Sequence, residues 1–273
     1  MTITHTAQES EQLAGIGLLI KQWRQQRRLS QMHLALEVGI SPRHLSFIET
    51  GRSRPSVEVL LALATALAVP LRTRNSWLLA AGYAPRFTEQ TLSSERMTQV
   101  RAALDKLLLA HDPYPGVVLD GHWDVVLANR SAQRLMAQLP AALRQPAVNM
   151  FRASLHPEGF AALTQNFAEW GNYLWHELQK LVAQSRDPRT LALATEIAQY
   201  PNVKALRTQA APMEAPQLLI PCVLALGGQS YSLFTTLTSF GTPRDITLAE
   251  LSVELFYPAD AATEVQLHQL AAA

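Results

Sequence analysis

Arg43 and His44 stand at the start of a short segment that opens with Ser41-Pro42 and ends at Gly51. Arg43, Ser46, Phe47 and Thr50 project from the helix face opposite Leu45 and Ile48, so they are the side chains free to reach a partner. An arginine in this place can bond O6 and N7 of guanine together, discriminating by roughly 1–3 kcal/mol per base pair. Gln31, at the start of the preceding segment, suits a phosphate contact that sets register without reading sequence. Ser41, Arg52 and Arg54 complete the candidate contacts to double-stranded DNA.

Catalytic chemistry finds no complete signature. His176-Glu177 is followed by Lys180, so the second histidine of a zinc-protease helix is missing. There is no G-x-S-x-G elbow, and Gly15-Ile16-Gly17 lacks a third glycine at the required spacing. Cys222 lies in an alternating segment that should bury it, and Cys and His do not cluster as metal ligands. The expectation is a protein that is not an enzyme and holds neither cofactor nor metal.

The elements that would position Arg43 are a set of short helices. Leu13, Ile16, Ile20 and Trp23 recur at helical spacing from Leu13 to Arg27. Ser30 is a good N-cap for a second helix with Leu34, Ala35 and Val38 inward, and Gly39 is its expected left-handed stop. Ser41 caps a third helix with Pro42 at its first position. Ser56 to Ala68 and Arg72 to Ala80 supply a fourth and a fifth. Two short helices around a Gly-containing turn form a helix-turn-helix, whose second helix enters the major groove.

Charge agrees with that reading. The net charge is only +1, but up to Ala84 nine basic residues face five acidic ones, and the remainder is net acidic. The anionic partner therefore belongs to the first part. A single cysteine and the lack of an opening apolar run fit the cytoplasm, here with association to the nucleoid. The longest apolar stretch, Leu60 to Val69, is well short of the roughly 20 residues that span a bilayer.

Ala81-Gly82-Tyr83-Ala84-Pro85 breaks the helical pattern, and Met97 to Leu109 resumes it. Gly116 to Leu119 and Trp123 to Ala128 read as two strands around a turn, with a helix starting near Asn129. The longest helix carries Phe160, Leu163, Phe167, Trp170, Leu174 and Leu178 as one buried stripe. After Pro216 the period becomes two, through Leu218 to Leu226, Tyr231 to Leu237 and a last strand over Leu251 to Tyr257. An antiparallel sheet flanked by helices is expected, an α+β domain.

Leu29-Ser30-Gln31, Leu34-Ala35, Gly39-Ile40-Ser41, Glu49-Thr50-Gly51 and Arg54-Pro55-Ser56 together resemble the XRE, or repressor-type, helix-turn-helix family. Leu79 to Pro85, Tyr114-Pro115, Leu119-Asp120 with Trp123 and Asn129, Phe240 to Asp245 and Pro258-Ala259-Asp260 look like the MmyB-like regulators. The resemblance implies an all-α, lambda-repressor-like domain of about five helices followed by an α+β PAS-like domain. It divides the chain into a flexible N-terminus over 1–12, a DNA-binding domain over 13–84, a connecting helix over 85–112 and a regulatory domain over 113–270.

The same resemblance implies a transcriptional regulator controlled by a small apolar, fatty-acid-like ligand, and paired half-sites imply a homodimer. The rival expectation is a regulator whose second domain only dimerises. A PAS-like pocket would lie between the sheet and its flanking helices, which makes Trp123, Phe151, Trp170, Tyr173, Phe234 and Phe240 candidate lining residues. His122, His176 and Asn129 are candidate polar anchors, while Asp120, Asp245 and Asp260 suit structural turns.

Overall fold

The computed structural model describes residues 3–185, 187–208 and 218–272, with side chains over 15–185, 187–206 and 218–271. Contacts divide the chain into two units. The first runs to Glu89 and takes in Pro243–Ala249, and the second holds Gln90–Thr242 and resumes at Glu250. The chain therefore passes between the units three times.

The first unit contains α1 (Ile3–Gln26), α2 (Gln31–Val38), α3 (Pro42–Glu49), α4 (Val57–Ala66) and α5 (Leu71–Ala80). The first helix starts ten residues before Leu13, in a stretch from Ile3 to Gln12 that contains no glycine or proline to break it. The hydroxyls of Ser30, Ser41 and Ser56 accept from the backbone N–H of the third residue of α2, α3 and α4 at 3.1, 3.1 and 3.3 Å. Gly39 ends α2 at φ 73°, and its N–H donates back to Leu36.

Ile16, Ile20, Trp23, Leu34, Leu45, Ile48, Leu63 and Trp77 form one core, each side chain contributing about 1.5–3 kcal/mol by burial. A Cβ on Gly17 would sit 2.3 Å from the Ile48 carbonyl oxygen, so α1 and α3 touch backbone to backbone there. Across the same seam the Arg24 guanidinium meets the Glu49 carboxylate through two bonds of 2.6 and 2.9 Å and donates to the Leu29 carbonyl at 2.8 Å. Gln31 adds a 2.7 Å bond to Glu49. The bond to Glu49 raises the Arg24 pKa further, against the lowering effect of burial.

The segment 243–249 joins this unit through Thr88. The Thr88 hydroxyl donates to Asp245 at 2.8 Å, and the Ile246 N–H donates to the Thr88 carbonyl at 2.8 Å. Asp245 also accepts from Leu248 N–H, which makes it a structural turn residue.

The second unit opens with α6 (Thr98–His111), then β1 (Gly116–Leu119), β2 (Val125–Ala128), α7 (Arg130–Met136), α8 (Met150–Leu155), α9 (Phe167–Ser185), α10 (Pro188–Ile197) and α11 (Pro201–Thr208). It closes with β3 (Cys222–Leu226), β4 (Gln229–Ser239), α12 (Ile246–Glu250), all but the last residue of which belongs to the first unit, β5 (Ser252–Pro258) and α13 (Ala261–Ala272). Five strands among the described residues form one antiparallel sheet in the order β2-β1-β5-β4-β3. This is the expected α+β, PAS-like arrangement.

Register decides the faces. Val117 pairs with Glu254, Thr235 with Phe256 and Cys222 with Leu233, so these side chains share the face that α8 to α11 cover. Gly116, Leu255, Tyr257 and Phe234 share the other face, where Leu108 and His111 of α6 approach Gly116. The helix read as a connector is thus packed on the sheet through its apolar stripe. The long helix begins at Phe167, not Phe160, because Phe160–Leu163 form a separate 3-10 turn and Thr164 bridges to Leu224. Leu218 and Leu219 are exposed, and β3 starts at Cys222; Pro216 lies outside the described residues.

Glu49→Ala leaves the Arg24 guanidinium buried without its partner. It should destabilise the first unit by about 3–5 kcal/mol in urea titration, whereas apolar residues at both positions should recover most of the loss. A single-variant loss near zero would show that the pair holds nothing.

Candidate functional site

The helix-turn-helix face is built by α3. Arg43 is exposed, its guanidinium 5.3 Å from the Phe47 ring centroid, and His44, Ser46 and Phe47 are half-buried beside it. Arg52 is exposed just after the left-handed Gly51, at φ 71°. Four other expected contacts are engaged within the protein. The Ser41 hydroxyl caps α3, the Thr50 hydroxyl donates to Ser46 O at 2.8 Å, and the Gln31 amide is bonded to Glu49. Arg54 stacks 4.4 Å from the Tyr83 ring centroid and donates to Gly82 O, so it braces the end of the first unit. The Tyr83 hydroxyl in turn donates to Pro55 O.

In the second unit the inner face of the sheet and α7 to α9 enclose a cavity of about 60 Å³. Trp123, Phe151 and Trp170 line it, as expected. So do Leu135, Met136, Met150, Ser154, Thr164, Cys222 and Glu254, none of which is among the expected ligand contacts. A drug-sized ligand needs roughly 300 Å³ or more, so such a ligand must push the wall outward. Met136 and Met150 are unbranched and able to repack, which gives the wall that freedom.

Trp123 adopts φ 66°, a left-handed conformation costing about 1–3 kcal/mol in a residue with a Cβ. Its surroundings hold it there. Trp123 N–H donates to Asp120 O at 3.0 Å, its carbonyl accepts from Met150 N–H at 2.9 Å, and its ring lies 4.4 Å from that of Phe151. The Asp120 carboxylate accepts from the N–H groups of His122 and Asp124. Asp124 is bonded in turn to Asn149 and Arg189, and His122 lies 3.4 Å from Asp187. His122 therefore ties the turn to α10 and does not line the cavity.

Five other expected ligand contacts also lie outside the wall. Asn129 accepts from Gly116 and Ala132 N–H and donates to Tyr114 and Leu108 O, which uses its hydrogen-bonding capacity in the hairpin and the α7 cap. Phe234 falls on the opposite face of the sheet and stacks on Tyr257. Tyr173 and His176 are on the exposed side of α9, His176 bonded to Asn172 O. Phe240 lies beyond β4, away from the cavity. Asp260 caps α13 by accepting from Thr263 N–H at 2.7 Å.

Glu254 is the feature that spacing alone did not reveal. It is 7% exposed, its Oε2 has no hydrogen-bond partner, and burial pushes its carboxyl up from 4.5 to about 7 against the lowering effect of a bond from Thr235. Burial also pushes the neighbouring Cys222 thiol up to about 12, which leaves it unreactive as a nucleophile. Among the described residues no group of three or more His, Cys, Asp and Glu could hold a metal ion.

A carboxyl raised on folding holds its proton more tightly in the folded state, so the protein should lose stability as pH rises from about 4.5 to about 7. The shift corresponds to about 3 kcal/mol. Glu254→Gln should therefore gain roughly that much on the wild type between about pH 5 and pH 7.5 in denaturant titrations. A stability difference independent of pH would show that the carboxyl is not held protonated.

Residues 100–270 match the family model of the MmyB-like transcription regulator ligand binding domain, and residues 20–73 match that of a helix-turn-helix. Multiprotein-bridging factor 1 of Candida albicans (strain SC5314 / ATCC MYA-2876) is 38% identical over 60 residues, 22% of this chain and 40% of that protein. The chain thus spans less than half the length of that relative. The crystal structure of the clp gene regulator ClgR from Corynebacterium glutamicum is similar at 22% identity and TM-score 0.23, covering 37% of this chain and 95% of that one. The PAS domain from Bordetella pertussis BvgS is similar at 16% identity and TM-score 0.25, covering 62% and 96%. The ligand-binding model takes in well over half of the chain, which therefore belongs to the MmyB-like transcription regulators.

Proposed function

We propose that this chain is a sequence-specific DNA-binding transcription regulator whose operator affinity is set by a small, mostly apolar molecule held in the second unit. The observation that carries the DNA-binding part is the α3 face, where Arg43 stands exposed on a helix fixed from behind by the buried Arg24–Glu49 pair. The sensing part rests on the apolar cavity and its deformable methionine wall. A fatty-acid-like body suits that lining.

Control requires that the ligand distinguish two states of the protein, since equal affinity for both shifts nothing. The connection between β4 and β5 offers a route, because Pro243–Ala249 belongs to the first unit while both strands belong to the second. A homodimer in the cytoplasm would place two copies of α3 in successive major grooves, roughly 34 Å apart. The role is binding and not catalysis. The small size of the cavity favours one second reading, in which the domain only dimerises.

Selection of bound fragments from a random double-stranded library tests the proposal. It should return a paired motif, and Arg43→Ala should weaken the selected site about 10- to 100-fold while non-specific binding changes little. Recovery of no preferred sequence, or an Arg43→Ala variant with unchanged preference, would overturn it.

A further inference from the structure

Glu254 is an acid in a wall otherwise suited to apolar matter. It lies in β5 between Val253 and Leu255, with its side chain on the cavity face of the sheet. Thr235 donates to its carboxyl, Oε2 has no partner, and no Lys, Arg or His is among the residues lining the cavity. The other polar groups on the lining side chains are the Ser154 and Thr164 hydroxyls, the Cys222 thiol and the Trp123 and Trp170 indole N–H groups, none of which meets Oε2, and Thr164 already donates to Phe160 O at 2.8 Å. A buried carboxylate oxygen without a donor is costly, and an apolar residue would fill the same place without that cost. An acid retained there needs a donor from elsewhere.

We propose that Glu254 is the polar anchor of the ligand site, and that the ligand is an apolar body carrying a hydrogen-bond donor, an alcohol or an amine, and no carboxylate. This rests on the reading above that the cavity admits a ligand. A donor head meets Oε2 and completes its hydrogen bonding. A carboxylate head instead sets two acids against each other in a dry site, where one of them must hold a proton. Where Glu254 is ionised, a head that only accepts, such as a ketone, leaves Oε2 as it was and adds a second acceptor beside it.

Four probes of equal chain length separate these heads: 1-octanol, octylamine, octanoate and 2-octanone. Binding to the full chain is followed by calorimetry and by fluorescence of Trp123 and Trp170, which line the cavity, at about pH 8 so that Glu254 is largely ionised. The alcohol and the amine should bind about tenfold or more tightly than the acid and the ketone. Their own ratio tells which donor the site prefers. Glu254→Gln keeps the shape and should lose most of the preference for the amine over the acid, and Glu254→Leu should lose all of it.

Octanoate or 2-octanone binding as tightly as 1-octanol, or a donor preference that persists in Glu254→Leu, overturns the inference while leaving the ligand-binding reading intact. Failure of all four probes to bind overturns both.

Discussion

Arg24 reaches from α1 to Glu49 at the end of α3, and what α3 presents to solvent depends on that pair. The two charges lie in a seam where Gly17 lets the helix backbones touch, so water cannot screen them and their geometry is fixed. Gln31 at the start of α2 is bonded to the same carboxylate, which places the turn between α2 and α3 under the same control. The recognition face is thus held from behind by polar contacts and from the sides by the Ile48, Leu45 and Leu34 core. Arg43 itself makes no part of this framework and is exposed over the Phe47 ring.

Two unfavourable features of the second unit meet at one cavity. Trp123 is held in a left-handed conformation, and Glu254 is buried with an unpartnered oxygen; both line the same space. Buried side-chain oxygens of Ser94, Asn202 and Gln266 also lack partners, but these residues do not line the cavity. In the proposed ligand site a strained backbone and an unpartnered acid thus coincide. The return of Pro243–Ala249 to the first unit gives a change at β5 a covalent path toward the DNA-binding helices.

Most of the framework was legible because its signals are local. Ser30, Ser41, Ser56 and Asn129 cap the helices that their positions announce, and the alternation after Gly227-Gly228 marks β4. What failed to show depends on contacts between distant residues. Arg24 and Glu49 are 25 positions apart, and each alone looks like an ordinary surface charge. Helical spacing put Phe160 in line with Trp170, but it cannot register that Thr164 pairs with Leu224 and interrupts the helix. Glu254 was hidden because Leu251, Val253 and Leu255 alternate with Ser252 and Glu254, a pattern that aims the acid at solvent, whereas β5 is buried on both faces, at Val253 and at Glu254. Phe234 was assigned to the wrong face for want of the β4–β5 register.

The most direct measurement is a pair of operator titrations on the full chain, with and without a saturating amount of whatever small molecule co-purifies and is identified by mass spectrometry after denaturation. Coupling of the ligand site to the DNA-binding helices predicts that an apolar compound is retained and that adding it changes operator affinity by about 5- to 100-fold. A compound that saturates the protein yet leaves operator affinity unchanged would contradict it.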